Sequence, residues 1–408
     1  MLMQFQRIPW LPAFIAAAYL LKKKKPINEI IENIMKTIIG WYLILLGAEL
    51  SAWAMGPLSE KLFLVYGLKG GVMNTEIFGS WLLQSAGNIG FLAFLTAFFV
   101  NLMLARIRKK GYLFLTGHHL LFLSLMSVSL FHQLTDFREV PAALSAGAVT
   151  GIYAYLSVWI GAKSMKKLNP KTEAGLANST SGAALLGVWI GKCFQGKAKA
   201  AYGKNGKSSG YITSMGILTV LGLQILLSLA AGENIFVKWK ECLMESFAYG
   251  TALTMIIQGL RMLLGTFIPM FWDMGKAVLP QLVVGLDSTA VITYSPGAWK
   301  AGFLASGISG VCVLCALIFF KVPFIPLPGF TSLYFAGGVA GVFGNAEGGK
   351  AGAVVSGAVA GAVVVLLMSL FMTLHGGYYE AGAAFGETGY GSLGLLLSFI
   401  LKLLKYYI

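Results

Sequence analysis

Residues 283–296 read VVGLDSTAVITYSP, an apolar run that carries one carboxylate, Asp287, and closes on Ser295-Pro296-Gly297. The chain has 408 residues, of which 57% are hydrophobic, 12% are charged and only 16 are acidic. A charge at the centre of a bilayer costs about 2.5–3.5 kcal/mol even on lenient scales, so a carboxylate kept in such a run pairs with another group or lines a wet cavity. A short helix beginning at Asp287 would offer free N–H groups, and the hydroxyls of Ser288 and Thr289 could meet either the carboxylate or a ligand. The alternative use of Asp287 is as a helix N-cap. Either way the stretch reads as a broken membrane segment, and that decides how the rest is parsed.

Working outward, several apolar stretches are about 20 residues long, enough at about 1.5 Å per residue to cross about 30 Å of hydrocarbon. The expected fold is an all-α polytopic membrane protein of about 11 transmembrane helices, with re-entrant or broken pieces. The spans are expected at 8–21, 34–55, 79–105, 111–131, 140–162, 211–231, 244–272, 298–320, 322–345, 349–375 and 389–406, with short apolar pieces at 62–76, 175–191 and 277–294. The net charge of +15 comes from Lys and Arg gathered at segment ends, such as Lys22–Lys25, Arg106–Lys110 and Lys163–Lys171. That distribution follows the positive-inside rule and not the basic face of a nucleic-acid binder. It places the N-terminus outside and the C-terminus in the cytoplasm. The basic cluster Lys22–Lys25 follows its apolar stretch, the reverse of a signal peptide.

An internal repeat is expected. Leu45-Leu46-Gly47 recurs as Leu263-Leu264-Gly265 (263 − 45 = 218), and Gly67-Leu68 as Gly285-Leu286 (285 − 67 = 218). The second span runs outward and the seventh inward, so the halves are inverted, a pattern of transporters that bind substrate near the midplane. The domains follow: 1–33, an N-terminal helix and basic linker; 34–191, the first repeat; 192–210, a basic cytoplasmic loop; 211–375, the second repeat; 376–408, a C-terminal transmembrane helix.

The ionisable candidates inside membrane segments are Glu49, Glu76, His118, His119, Arg261 and Asp287. Glu76 and Arg261 could instead snorkel to an interface. Because His118 and His119 are adjacent, only one of them is expected to face a site. Cys312 and Cys315 form a C-x-x-C within an apolar helix and read as packing residues. Ala201–Ser208 fits a permissive phosphate-loop pattern but lacks the strand and helix that chemistry needs. No zinc spacing, dinucleotide motif or nucleophile–base arrangement is present, so no metal or cofactor is expected.

Lys36-Thr37-Ile38-Ile39-Gly40, Val65-Tyr66-Gly67, Leu115-Thr116-Gly117-His118, Gln258-Gly259-Leu260-Arg261-Met262, Asp287 with Ser295-Pro296, and Pro328-Gly329-Phe330 occur in that order. On these motifs the chain, over about residues 30–365, resembles the ascorbate-type IIC membrane permease of the bacterial sugar phosphotransferase system. The resemblance implies eleven spans in two inverted repeats plus a last helix, a homodimer in the plasma membrane, and transport coupled to phosphorylation by separate IIB and IIA proteins. It maps the family's substrate threonine, histidine and aspartate onto Thr75, His118 and Asp287, with Asp287 helping to deprotonate the accepting hydroxyl. Glu76 stands where the family has tyrosine, Phe122 where it has glutamine, and Gly182-Ala183 where it has His-Gln. The expected substrate is a small carbohydrate, an ascorbate-like sugar acid, pentitol or related polyol. The expected contacts are Thr75, Glu76, His118, Asp287 and Ser288. Glu49 and Glu76 favour the alternative, a secondary transporter or facilitator on the same scaffold. The loop 192–207 is a candidate docking surface for a phosphotransferase partner, or ordinary positive-inside charge.

Overall fold

A computed structural model describes residues 8–108, 111–177, 180–195, 201–202 and 212–407. Its elements in chain order begin with α1 (Trp10–Lys22), α2 (Ile27–Tyr66), β1 (Lys69–Met73), α3 (Thr75–Ile107), β2 (Gly111–Phe114), α4 (Gly117–Leu134) and α5 (Glu139–Leu168). They continue with β3 (Gly175–Leu176), α6 (Ser181–Lys192), α7 (Ile212–Ala230), α8 (Ile235–Leu264), α9 (Phe267–Val278), β4 (Leu282–Leu286) and the single turn α10 (Thr289–Ile292). The last elements are α11 (Pro296–Phe319), β5 (Phe324–Leu327), α12 (Phe330–Leu374), a 3-10 turn (Gly376–Ala381), β6 (Ala383–Ala384) and α13 (Thr388–Tyr407).

Among the described residues six helices, α2, α3, α5, α8, α11 and α12, are long and apolar enough to cross a membrane. The expected division between spans 322–345 and 349–375 falls inside α12. There Gly348 and Gly349 leave helical geometry, and Gly349 takes φ 60°, a conformation open to glycine without strain. The expected span 244–272 is instead two elements: α8 ends at Leu264 and α9 starts at Phe267. A stacked Phe98–Phe271 pair, with centroids 3.6 Å apart, ties α9 to α3.

The sequence predicts helices throughout, but each short piece carries a strand. β1 lies between β5 and β6, and β4 lies between β2 and β3, all parallel. The physical reason is hydrogen bonding. Extended backbone at membrane depth has no water to bond, so it is tolerated only where protein satisfies it. Here the strands satisfy one another across more than one hundred residues of chain. Lys69 pairs with Phe324 and Gly111 with Leu282, so partners in the two sheets are related by one shift (282 − 69 = 213; 324 − 111 = 213). Asn101 adds a side-chain clamp: its amide donates to the Tyr112 carbonyl at 3.0 Å and accepts from the Phe114 N–H at 2.9 Å, fastening β2 to α3.

Helix α3 starts cleanly because Asn74 is extended (φ −150°, ψ 112°) and its side-chain oxygen accepts from the Ile77 N–H at 3.0 Å. N-cap loss typically costs about 1 kcal/mol. We expect Asn74→Ala to lower stability by about that amount, read as a fall in the thermal midpoint of the detergent-solubilised protein. An unchanged midpoint would show that the cap contributes nothing.

The basic loop 192–207 and the phosphate-loop-like stretch fall mostly outside the described residues. What is described is its anchor. The Tyr202 N–H donates to Asn345 Oδ1 at 2.9 Å, and Asn345 Nδ2 donates back to the Tyr202 carbonyl at 3.2 Å, just before the break in α12.

Candidate functional site

The strand–helix breaks bring the starts of several helices to one place. Glu76 enters from the first turn of α3, and His118 and His119 from the first turn of α4. Asp287, Ser288 and Thr289 enter from the β4–α10 turn, and Glu387 from the residue before α13. All of these line one cavity of about 580 Å³. Its apolar wall is Ile257, Leu260 and Leu264 of α8, Ile268 and Pro269 of α9, and Phe335 of α12, with Arg261 of α8 on the same wall.

Local hydrogen bonds set these side chains. The Ser288 hydroxyl, 2% exposed, donates to Asp287 Oδ1 at 2.9 Å, while the Asp287 carbonyl accepts from the Ala290 N–H at 3.1 Å and starts the α10 turn. On the opposite side the Gly386 N–H donates to the Thr75 hydroxyl at 3.1 Å, and the Ala384 carbonyl accepts from the Asn74 N–H at 2.8 Å. These two bonds hold the Gly386-Glu387 turn against the start of α3. Beyond it the Tyr390 ring stacks on Phe385 at 4.1 Å and its hydroxyl shares a 3.1 Å hydrogen bond with His119 Nδ1. Glu387 is 5% exposed, and its Oε2 lies 3.4 Å from the same nitrogen.

The cavity is electrostatically dense. Glu76 is within charge-interaction range of His118 and Asp287, and Glu387 within range of Glu76 and Asp287. Positive helix ends oppose these carboxylates: α3, α4 and α13 all begin at the cavity, each bringing roughly half a positive charge. Hydroxyl-accepting carboxylates, imidazoles and apolar walls in a space of this size suit a small, multiply hydroxylated ligand. Among the described residues no group of three or more His, Cys, Asp or Glu side chains is placed to hold a metal ion.

Of the expected contact residues, Glu76, His118, Asp287 and Ser288 line the cavity. Thr75 stands behind the wall, 3% exposed, with its hydroxyl engaged by Gly386. The expectation that only one of His118 and His119 faces a site is corrected, since both do. They occupy the first turn of α4, which meets the cavity end-on, and their rings lie 4.2 Å apart. Arg261 lines the cavity, whereas Glu49 does not. Gly182, at one of the departures from the family pattern, approaches the Thr388 hydroxyl on the far side of the Glu387 turn. Glu387 was not singled out from sequence. Its surroundings, Ala384-Phe385-Gly386-Glu387-Thr388, read as a loop before the last span; the available signal was an acid directly before a helix start in a chain poor in acids.

Residues 8–389 match the EIIC-GAT family, the PTS system sugar-specific permease component. A relative is the "Ascorbate-specific PTS system EIIC component" of Mycoplasma pneumoniae (strain ATCC 29342 / M129 / Subtype 1), 24% identical over 418 residues. The match covers 86% of this chain and 62% of that protein, so the chain spans about three fifths of the length of the curated relative. With the match running through the broken helices and the cavity they enclose, this multi-pass membrane chain belongs to the EIIC-GAT family of sugar-specific phosphotransferase permease components.

Proposed function

We propose that the chain is the IIC permease subunit of a phosphotransferase transporter that binds a small carbohydrate in the 580 Å³ cavity. The substrate would be an ascorbate-like sugar acid, a pentitol or a related polyol. One observation carries the reading: Asp287, Ser288, His118 and Glu76, drawn from three separate strand–helix breaks, meet in one cavity walled by membrane-length helices. Asp287 accepts a hydrogen bond from the substrate hydroxyl that will be phosphorylated and takes its proton as a separate IIB protein, recharged by IIA, delivers the phosphoryl group. His118 and Ser288 orient the remaining hydroxyls, and Thr75 acts through the Gly386-Glu387 turn.

The same reading has the chain as a homodimer in the bacterial plasma membrane, N-terminus outside and C-terminus cytoplasmic, built of two inverted repeats. The 213-residue shift that relates the two sheets supports the repeat better than the 218-residue letter match, which would set Asp287 opposite Lys69. Under the 213-residue shift Asp287 stands opposite Asn74 (287 − 213 = 74), both at the mouths of broken helices. Such sites sit at repeat interfaces.

A second reading, a secondary transporter or facilitator uncoupled from phosphorylation, is favoured by the carboxylates Glu76 and Glu387 in the cavity. Uptake by membrane vesicles, with and without cognate IIA and IIB proteins and phosphoenolpyruvate, separates the two. We expect accumulation only with the partners, as a phosphorylated product. Equal uptake of unmodified substrate in their absence would replace the first reading by the second.

A further inference from the structure

Arg261 lines the cavity, and nothing above gives it a task. It lies on α8, one turn before that helix ends at Leu264, and it is exposed. Among the described residues its guanidinium makes no hydrogen bond, ion pair or ring contact. Basic side chains near this end of the helix are paired: Lys23 Nζ lies 2.6 Å from Asp273 Oδ2, and Lys25 Nζ 3.0 Å from Glu29 Oε1. A guanidinium keeps its charge at any working pH, and a cation in a membrane-spanning helix is costly unless it faces an anion or a wet cavity. An unpaired one in a ligand-sized cavity is a receptor for an oxyanion.

The place of Arg261 says which oxyanion. The corner between α8 and α9 is shared by two spaces. Gly265 and Pro269 line the 580 Å³ cavity and also a second cavity of about 360 Å³, whose walls include Lys23, Lys25 and Asp273. The basic run Lys22–Lys25 marks this corner as the cytoplasmic side of the positive-inside reading. Arg261 is therefore beside the cytoplasmic approach to the cavity, on a different wall from the strand–helix breaks that carry Asp287 and His118. A phosphoryl group brought by a cytoplasmic protein reaches Arg261 on its way to the substrate hydroxyl.

We propose that Arg261 binds the phosphoryl group while it is transferred to the substrate. This rests on the phosphotransferase reading above and adds to it a residue that touches the reacting group. In the step, the substrate hydroxyl gives its proton to Asp287 and its oxygen attacks the phosphorus of the IIB protein's phosphorylated thiol. The O–P bond forms, the S–P bond breaks, and the sulfur leaves with the electron pair as a thiolate. The guanidinium exchanges no bond or proton. Its planar fork donates N–H groups to the non-bridging oxygens and offsets their charge, before and after transfer.

Because the contact persists in the product, it is testable without the partner. Binding of xylitol and xylonate, and of the 5-phosphate ester of each, is measured on the purified full-length protein. In Arg261→Gln the ester that wild type binds is expected to weaken by at least about 30-fold, and its parent by no more than about threefold. Arg261→Lys, which keeps the charge and loses the fork, should weaken the ester by about tenfold. It carries the comparison if the glutamine variant melts lower than wild type. With phosphorylated IIB and saturating substrate, turnover of Arg261→Gln should fall by about 10²–10³-fold. Equal weakening of parent and ester overturns the proposal, since Arg261 would then hold the substrate itself. So does unchanged ester binding or unchanged turnover, which would make it an interfacial cation. Either result leaves the carbohydrate reading standing. If neither parent nor any other sugar alcohol or sugar acid in a wider panel binds wild type, that reading fails and the proposal with it.

Discussion

In the Asp287→Asn variant we expect substrate uptake with the phosphotransferase partners to fall by roughly 10²–10⁴-fold, the range a lost general base typically costs. Asparagine keeps the shape of aspartate and can still accept the Ser288 hydroxyl that now donates to Asp287 Oδ1 at 2.9 Å. The α10 turn rests on the Asp287 backbone carbonyl, which the substitution leaves in place. Membrane level and melting temperature are therefore expected to stay near wild type. What changes is the negative charge facing the substrate and the capacity to take a proton. Binding without phosphorylation should weaken less than turnover, since an amide oxygen still accepts a hydroxyl. Wild-type rates of product formation in this variant would remove Asp287 from the chemistry.

The second large effect is expected at Gly285, two residues before Asp287. A side chain there would run into Ala177, which follows β3 and whose N–H donates to the Leu286 carbonyl at 2.8 Å. Gly285 itself pairs with Phe114 on one side and Gly175 on the other, at the centre of its sheet. A valine would have to push β3 away or slide β4. Overpacking of this kind typically costs about 1–3 kcal/mol. The functional loss should be larger than the stability loss, because β4 leads directly into Asp287 and a displacement of about 1 Å at a reacting group can cost about 10²-fold. We expect Gly285→Val to show both a lower melting temperature and a substrate affinity at least about tenfold weaker. Gly307→Ala on α11 is the control: nothing lies within 4 Å of the added carbon, so stability and binding should match wild type. A Gly285→Val protein with wild-type affinity would show that β4 does not position the site.

These two residues also mark how much was readable in advance. Asp287 was legible because a carboxylate in an apolar run conflicts with the cost of burying charge, and the conflict is visible in the letters. The break at Gly348-Gly349 was legible because apolar runs on either side are each long enough to span. Gly285 could be read as breaking the short piece, but not as a contact point, because its neighbour Ala177 lies over a hundred residues away in the chain. Glu387 was missed for the same reason. Its sequence neighbours are small and loop-like, and its significance comes from Glu76 and Asp287, which reach it from other elements. The two histidines were misjudged because periodicity describes the sides of a helix, whereas α4 meets the cavity with its end.

The sequence by itself determined that this chain is a multi-pass helical membrane protein with broken segments, and that Asp287 sits in one of them. Hydrophobic runs and buried charge are local properties, and a single pass along the chain finds them. Only the tertiary structure decided that the broken segments pair as two parallel three-stranded sheets, and that Glu76, His118, His119, Asp287 and Glu387 surround one cavity. The reason is physical: extended backbone in an apolar medium must find its hydrogen bonds somewhere, and in this protein the partners lie more than one hundred residues away, beyond the reach of any local pattern.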